Sequence, residues 1–406
     1  MAFFLAAYVV VLVGDNITGK GNVPPHTFLS SWMVWDGVYY LHIAQFGYVD
    51  YGNAVFFPLY PLLIRVAAVG TQQWVLAALV VSALATLATC IGLVALLRFE
   101  GWHAHMRDAA LRAVFAYPFA FILGTILSEP LFLACVVWTI YCARRGWWLR
   151  AALTGLLAGL ARPTALALIP VLAWEGVRQT GLTDGRGMAV RSLWERRALP
   201  LPHLAISWQR VRVTCSVICA VAGAPLGFVL FLVYCGRHYG DPLAMVHAQA
   251  SWGHKALPPW TAFTGNIAWF FWQLQHHPWQ YDELRTVSET GSLLLVLLVT
   301  LLGAYGVGMG RRDGRRTRIP LAYTLFSLAL VGTVILSPQV TGPNNRFVLF
   351  GSAYRYMLIA FPAWVTIGYW MSSRRWLDQF WTTTGLLLQA ALLALFLLGG
   401  YPGFIG

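Results

Sequence analysis

The chain alternates long apolar runs with short charged stretches along its whole length. Apolar segments fall near 1–14, 74–97, 112–127, 130–143, 150–161, 163–176, 213–235, 291–309, 319–337, 351–372 and 379–400. A helix needs about 20 apolar residues to cross the hydrocarbon core, and several of these runs are shorter. The period-2 alternation of barrel strands is absent. The pattern predicts an all-α polytopic membrane protein, one integral membrane domain over 1–406, with about 11 membrane segments. The first segment lacks a basic leader region and a small-residue cleavage site, and is expected to remain as an uncleaved first helix.

Shorter patterns lie between the runs. Ser31 to Gly47 has helical spacing, with Trp32, Trp35, Tyr39 and Ile43 within reach of one face, which predicts an interfacial helix carrying Asp36. Val55 to Arg65 holds Pro58 and Pro61 and reads as a broken, membrane-dipping segment. Two hairpins are expected next, over 112–143 and 150–176. They turn at Ser128-Glu129-Pro130 and at Ala161-Arg162-Pro163-Thr164, each with a charge beside a proline. Thr261 to Gln275 reads as a second interfacial helix.

Composition agrees with a membrane chain. Of 406 residues, 58% are hydrophobic and 11% charged, where a soluble domain carries about a quarter charged. The net charge of +13 invites a nucleic-acid reading, but its distribution excludes one. Loops 98–112, 144–150, 177–212, 310–318 and 373–378 hold 20 of the 28 basic residues. The other eight (Lys20, Arg65, Arg162, Arg237, Lys255, Arg285, Arg346 and Arg355) are matched by eight acids on the opposite side. By the positive-inside rule the basic loops, including the Arg-rich connector 177–212, are cytoplasmic. Asp36 then lies on the extracytoplasmic face, in a first outer loop spanning 15–73. The six cysteines sit in or beside apolar runs and read as small apolar fillers.

The candidate chemistry collects in the outer regions 15–73, 236–290 and 338–350 and at the edges of their flanking segments. Asp36 stands among Trp32, Trp35, Tyr39 and Tyr40, where a carboxylate is partly desolvated. Glu129 and Arg162 occupy the two hairpin apices. Gln249, Trp252, His254 and Lys255 crowd together, with His276 and His277 further on. Asn344-Asn345-Arg346 is followed by Tyr354-Arg355-Tyr356, which opens an apolar segment from its outer end. Charges at membrane depth are functional candidates.

These pieces together resemble a known family. Trp-Asp-Gly-x-Tyr-Tyr-x-x-Ile-Ala-x-x-Gly-Tyr (Trp35 to Tyr48) and Phe-Phe-Pro-Leu-Tyr-Pro-Leu-Leu-Ile-Arg (Phe56 to Arg65) look like the PIG-V-type mannosyltransferases. The Ser-Glu-Pro and Ala-Arg-Pro-Thr turns match in the same order. So do Gly-Asp-Pro-Leu with Gln-x-x-Trp-Gly (Gly240 to Gly253) and Tyr-Arg-Tyr before Phe-Pro (Tyr354 to Pro362). The resemblance implies a GT-C glycosyltransferase fold, a polyprenyl-phosphate sugar donor, most readily polyprenyl-phosphate mannose, and an essential acid in the first outer loop, at the position of Asp36. In eukaryotes the family adds the second mannose to the glycosylphosphatidylinositol precursor. Bacterial relatives share the pattern.

Transfer from such a donor needs a base for the incoming hydroxyl and cations for the departing phosphate. Asp36 can be the base. Arg355, Arg162 and Arg346 can chelate phosphate oxygens through their planar forks. Trp35, Tyr39, Glu129, Gln249, Trp252, His254, Lys255, Tyr354 and Tyr356 are the expected substrate contacts, with Glu129 either touching a sugar hydroxyl or pairing with Arg162. No DxD-type motif appears in the outer regions, so no obligatory metal or other cofactor is expected. The expected partners are membrane lipid, the polyprenyl-phosphate sugar donor and a lipid-linked or other glycan acceptor, with no nucleic acid and a monomeric state. The expected location is the plasma membrane if the chain is bacterial. A transporter or lipid flippase is the alternative, and a non-enzymatic membrane subunit a third reading. The absence of His-Glu-x-x-His and of a nucleophile elbow argues against a metalloprotease or hydrolase.

Overall fold

The computed structural model describes Leu29 and residues 32–179, 208–276, 281–309, 311–312, 315–316, 319–341 and 347–398. The first apolar segment, most of the 177–212 connector, His277 and Asn344-Asn345-Arg346 lie outside the described residues.

Fifteen helices are present among those residues. They are α1 (Asp36–Phe46), α2 (Leu59–Ala68), α3 (Trp74–Phe99), α4 (Ala104–Phe115), α5 (Glu129–Arg144), α6 (Trp148–Ala161), α7 (Leu168–Gln179) and α8 (Trp208–Tyr239). There follow α9 (Ala244–Ser251), α10 (Pro259–His276), α11 (Tyr281–Tyr305), α12 (Leu321–Leu336), α13 (Ala353–Ile359), α14 (Phe361–Ser373) and α15 (Arg375–Leu398). The strands among the described residues form two small antiparallel pairs, one of which sets Gln339–Thr341 against Phe347–Leu349. Among the described residues, four helical stretches are long and apolar enough to cross a membrane: Trp74–Phe99, Arg212–Tyr239, Arg285–Tyr305 and Arg375–Leu397. The chain is an integral membrane protein of the all-α class.

Small residues set the closest helix packing. In lipid, helices associate through van der Waals contact, so glycine and alanine at an interface let backbones approach. Helices α6 and α8 meet this way. A methyl group on Gly159 would overlap the Ala224 carbonyl, and one on Gly223 or Gly227 would overlap carbonyls of α6.

Three of the expected segments are not single helices. The run 112–127 ends its helix at Phe115, ahead of Pro118, which has no N–H to offer a helix. The chain then crosses the core as irregular backbone with a 3₁₀ turn at Ala120–Gly124. Such backbone at depth needs neighbouring donors. Thr86 donates to the Leu123 carbonyl at 2.7 Å, and the Gln389 amide donates to the Phe115 and Tyr117 carbonyls. The run 163–176 opens as a 3₁₀ turn, Pro163–Ala167, before α7. The run 351–372 breaks at Ala360, just before Pro362, into α13 and α14. The interfacial helix expected from Ser31 starts instead at Asp36, because Trp35 has left-handed backbone (φ 55°) that a helix cannot continue through. Trp32 and Trp35 therefore precede the helix rather than lining its face. Helix α10 covers the expected Thr261–Gln275 and runs slightly past it at both ends.

Candidate active site

Asp36 is the first residue of α1, so its position depends on how α1 begins and what it rests on. Trp35 is held in its strained conformation by its indole, which donates to the Phe396 carbonyl at 3.0 Å. Gly37 lets the helix lie on the irregular strap: an added methyl would sit 3.2 Å from the Ile126 carbonyl oxygen. Tyr40, one turn on, donates to the Ser128 hydroxyl at 2.8 Å. At the other end of α1, Arg65 caps the free carbonyls of Ala44 and Gln45 at 2.7 and 2.9 Å. The two halves of the Trp35–Arg65 motif are thus one structural unit that fixes α1 beside the Ser128-Glu129 turn.

Four ionised side chains from four segments converge there. Arg355, on α13, places Nη1 2.8 Å from Asp36 Oδ2 and Nε 3.4 Å from Glu129 Oε1. Arg162, at the turn after α6, places Nη1 2.7 Å from Glu129 Oε1 and donates to the Ser128 hydroxyl at 3.1 Å. Its guanidinium lies over the Tyr356 ring, 4.7 Å from the centroid. Two acids and two guanidiniums balance, as buried charges must. The acids are not equivalent. The Glu129 side chain is 1% exposed and lies behind both arginines, while the Asp36 side chain is 27% exposed.

Asp36, Arg162 and Arg355 form one wall of a cavity of about 570 Å³, within the range of pockets that enclose small ligands (about 300–1,000 Å³). Trp35, Asp36, Tyr39, Arg162, Gln249, Trp252, His254, Tyr354, Arg355 and Tyr356 all line it. In the same cavity, Tyr39 stacks on Phe56 at 5.0 Å, and Trp252 stands edge-on to both rings. This aromatic corner offers flat apolar faces next to polar groups, the surface a sugar ring uses. Gly253, with φ 82°, carries the chain through the Trp252–His254 turn, and its carbonyl accepts from the Val340 amide at 2.8 Å. His254 Nδ1 lies 3.0 Å from the Ser337 carbonyl, and the Gln339 amide donates to the Trp252 carbonyl at 3.1 Å. The 249–255 cluster is thereby pinned to the segment that leads into α13.

Two expected contacts fall outside the cavity lining. Lys255 is exposed, and its backbone amide donates to the Pro338 carbonyl. Glu129 takes the second of its two expected roles, pairing with Arg162, and the two cations take up its carboxyl. Arg346 lies outside the described residues.

Sequence reasoning missed Arg285 and Gln339, which also line the cavity, and Glu289 beneath them. Glu289 Oε1 is 3.1 Å from Arg285 Nε and accepts the backbone N–H of Ser352 at 2.7 Å. Ser352 has left-handed backbone (φ 60°) immediately before α13. Glu289 thus anchors the turn that aims Arg355. The signal available was an Arg-x-x-x-Glu pair at i,i+4 on one helix face, which on its own reads as a surface pair. Among the described residues no three His, Cys, Asp or Glu side chains come together as a metal site would require.

A family model for mannosyltransferase (PIG-V) matches residues 22–280, which include Asp36, Glu129, Arg162 and the Gln249–Lys255 cluster. The chain belongs to the PIG-V mannosyltransferase family. Comparison with curated proteins and with solved structures gives no match. Family membership places the chain among glycosyltransferases and leaves the transporter reading without support. The matched residues hold Asp36, Glu129 and Arg162 and stop short of Arg355, which the fold brings against the first two.

Proposed function

We propose that this protein is an inverting mannosyltransferase that moves mannose from a polyprenyl-phosphate donor to a hydroxyl of a lipid-linked or other glycan acceptor on the extracytoplasmic face. The observation that carries the reading is Arg355 in the cavity wall, paired with Asp36 and backed by Glu129, with Arg162 beside it. A cavity with a reachable carboxylate, two guanidiniums and an aromatic corner supplies the groups this reaction needs.

The reaction joins the acceptor oxygen to the anomeric carbon and breaks the bond from that carbon to the phosphate oxygen. The bonding pair leaves with the phosphate, and the hydroxyl proton goes to Asp36. Because the new bond forms on the face opposite the departing phosphate, a β-linked donor gives an α-linked product. Arg355 and Arg162 hold the phosphate and offset its growing charge. Glu129 keeps both guanidiniums in place and limits their excess positive charge. A phosphate leaves without protonation, so a second catalytic carboxylate is not needed, unlike in glycoside hydrolysis. Arg355 holds Asp36 until a phosphate competes for its fork. Donor binding therefore frees the base, and the order is donor first, acceptor second.

The test is transfer by the purified full-length chain, followed by mass spectrometry of the lipid fraction. Polyprenyl-phosphate mannose should support transfer and nucleotide-linked mannose should not. The opposite preference would overturn the donor assignment.

A further inference from the structure

The arginines at the end of the molecule away from Asp36 fall into two kinds. Arg112 pairs with Asp378, and Arg144 pairs with both Glu100 and Glu175. Arg178 also pairs with Glu175. By contrast, Arg98, Arg145, Arg150 and Arg212 are exposed and are in no ion pair among the described residues. Acids are available at this end and these four do not use them.

Two of the four are nonetheless held in place. The Arg145 guanidinium lies 4.8 Å from the Trp147 ring centroid and 5.4 Å from that of Phe99. The Arg150 guanidinium lies 4.6 Å from the same Trp147 ring. One indole thus keeps two cations within about 10 Å of each other. Stacking leaves the in-plane N–H donors of a guanidinium free and removes part of the entropy cost of ordering a long side chain. Helix dipoles do not explain the pair: Arg150 sits in the first turn of α6, where the dipole disfavours a cation.

Each cation also heads an open groove with an apolar wall. Arg145 and Arg98 flank one, walled by Ile91, Val94 and Ala95 of α3. Arg150 and Arg212 flank the other, with Leu149 and Val213. Trp147 lines the second groove and stacks with Arg145 of the first. Paired guanidiniums at the mouth of an apolar groove on a membrane protein match a phosphodiester with acyl chains below it.

We propose that this surface binds a membrane phospholipid with two phosphates and two pairs of acyl chains, a diphosphatidylglycerol, with one phosphate on each side of Trp147. The site is separate from the transferase cavity and does not depend on its assignment.

The test uses the full-length chain in detergent, mixed with equal phosphate concentrations of tetraoleoyl diphosphatidylglycerol, dioleoyl phosphatidylglycerol or dioleoyl phosphatidylcholine, and native mass spectrometry of retained lipid. Diphosphatidylglycerol should be retained at least tenfold better than phosphatidylcholine and clearly better than phosphatidylglycerol. R145Q/R150Q should reduce its retention about tenfold or more, as expected for lost hydrogen bonds to a charged group, while R112Q should not. R145K/R150K keeps both charges but loses the flat fork, and should fall between. It is the variant read if the glutamine pair does not fold. Equal retention of the one-phosphate lipid, or wild-type retention by R145K/R150K, overturns the proposal.

Discussion

Replacing Asp36 with asparagine should separate two roles that the Asp36–Arg355 contact joins. Asparagine keeps the size and hydrogen bonding of the side chain but cannot take up the acceptor proton. Loss of a general base lowers turnover by about 100-fold or more. The same change removes the competitor that holds Arg355 at 2.8 Å. That ion pair is partly exposed on both sides (13% and 27%), so its net strength is about 1 kcal/mol, the upper end for pairs in contact with water. Freeing Arg355 should therefore tighten donor binding by up to about fivefold. The assay pairs initial transfer rates with equilibrium binding of radiolabelled polyprenyl-phosphate mannose in detergent. Asp36→Asn should show slow turnover with unchanged or tighter donor binding, and the double variant with Arg355→Ala should bind donor as weakly as Arg355→Ala alone. Wild-type turnover in Asp36→Asn would falsify the base assignment. Loss of donor binding together with turnover would instead make Asp36 a brace for Arg355.

Arg355→Ala should weaken donor binding by roughly 10- to 150-fold, the range for a lost hydrogen bond to a charged group, and Arg355→Lys should recover only part; equal affinity in both variants and the wild type would reduce Arg355 to a membrane anchor. Glu129→Gln leaves two guanidiniums with Asp36 as their only acid and should cost about 3–5 kcal/mol of stability, read as a lower thermal unfolding midpoint in detergent; an unchanged midpoint would show that the arginines do not need it. At the surface, Asp241 joins Tyr51, which donates to it at 2.5 Å, and His247 Nδ1 at 2.7 Å. The Tyr51 bond, then the His247 bond, hold the Asp241 carboxyl below its ordinary value, and the same contact with Asp241 pushes the Tyr51 hydroxyl up to about 12. The Asp241 contribution is complete above about pH 4 and is lost as pH falls through the lowered folded-state value. The Tyr51 contribution is complete below about pH 10 and fades as pH rises towards 12. Limited proteolysis near Tyr51 should quicken below pH 4 in the wild type and show no such step in Asp241→Asn. Cysteine placed at Gly52 or Ser251 should react with an impermeant thiol reagent from outside intact cells; labelling only after permeabilisation would reverse the proposed orientation.

Much of this was legible in the chain. Apolar run length and polarity mark a helical membrane protein because the bilayer admits few other backbones. The Trp35–Tyr48 and Phe56–Arg65 motifs mark the family because they are long and ordered, and Arg65 capping α1 shows why they travel together. Asp36 stood out because a lone acid among aromatic rings is costly to keep. Local pattern failed where a run was apolar but not helical: Pro118 breaks 112–127, and Thr86 and Gln389, distant in sequence, donate to carbonyls the lost helix leaves free. The sequence offered the Glu129–Arg162 pair as one of two roles for Glu129; the rest of the charge pairing only tertiary structure decided. Arg355 meets Asp36 and Glu129 across gaps of more than 200 residues, and Glu289 reaches Ser352 over 63. The sequence shows which charges are present. Which of them are neutralised, and which face a cavity, depends on low-dielectric packing that brings remote segments together. Glu129 behind two arginines and Asp36 open to the cavity look alike as letters and differ only by what surrounds them.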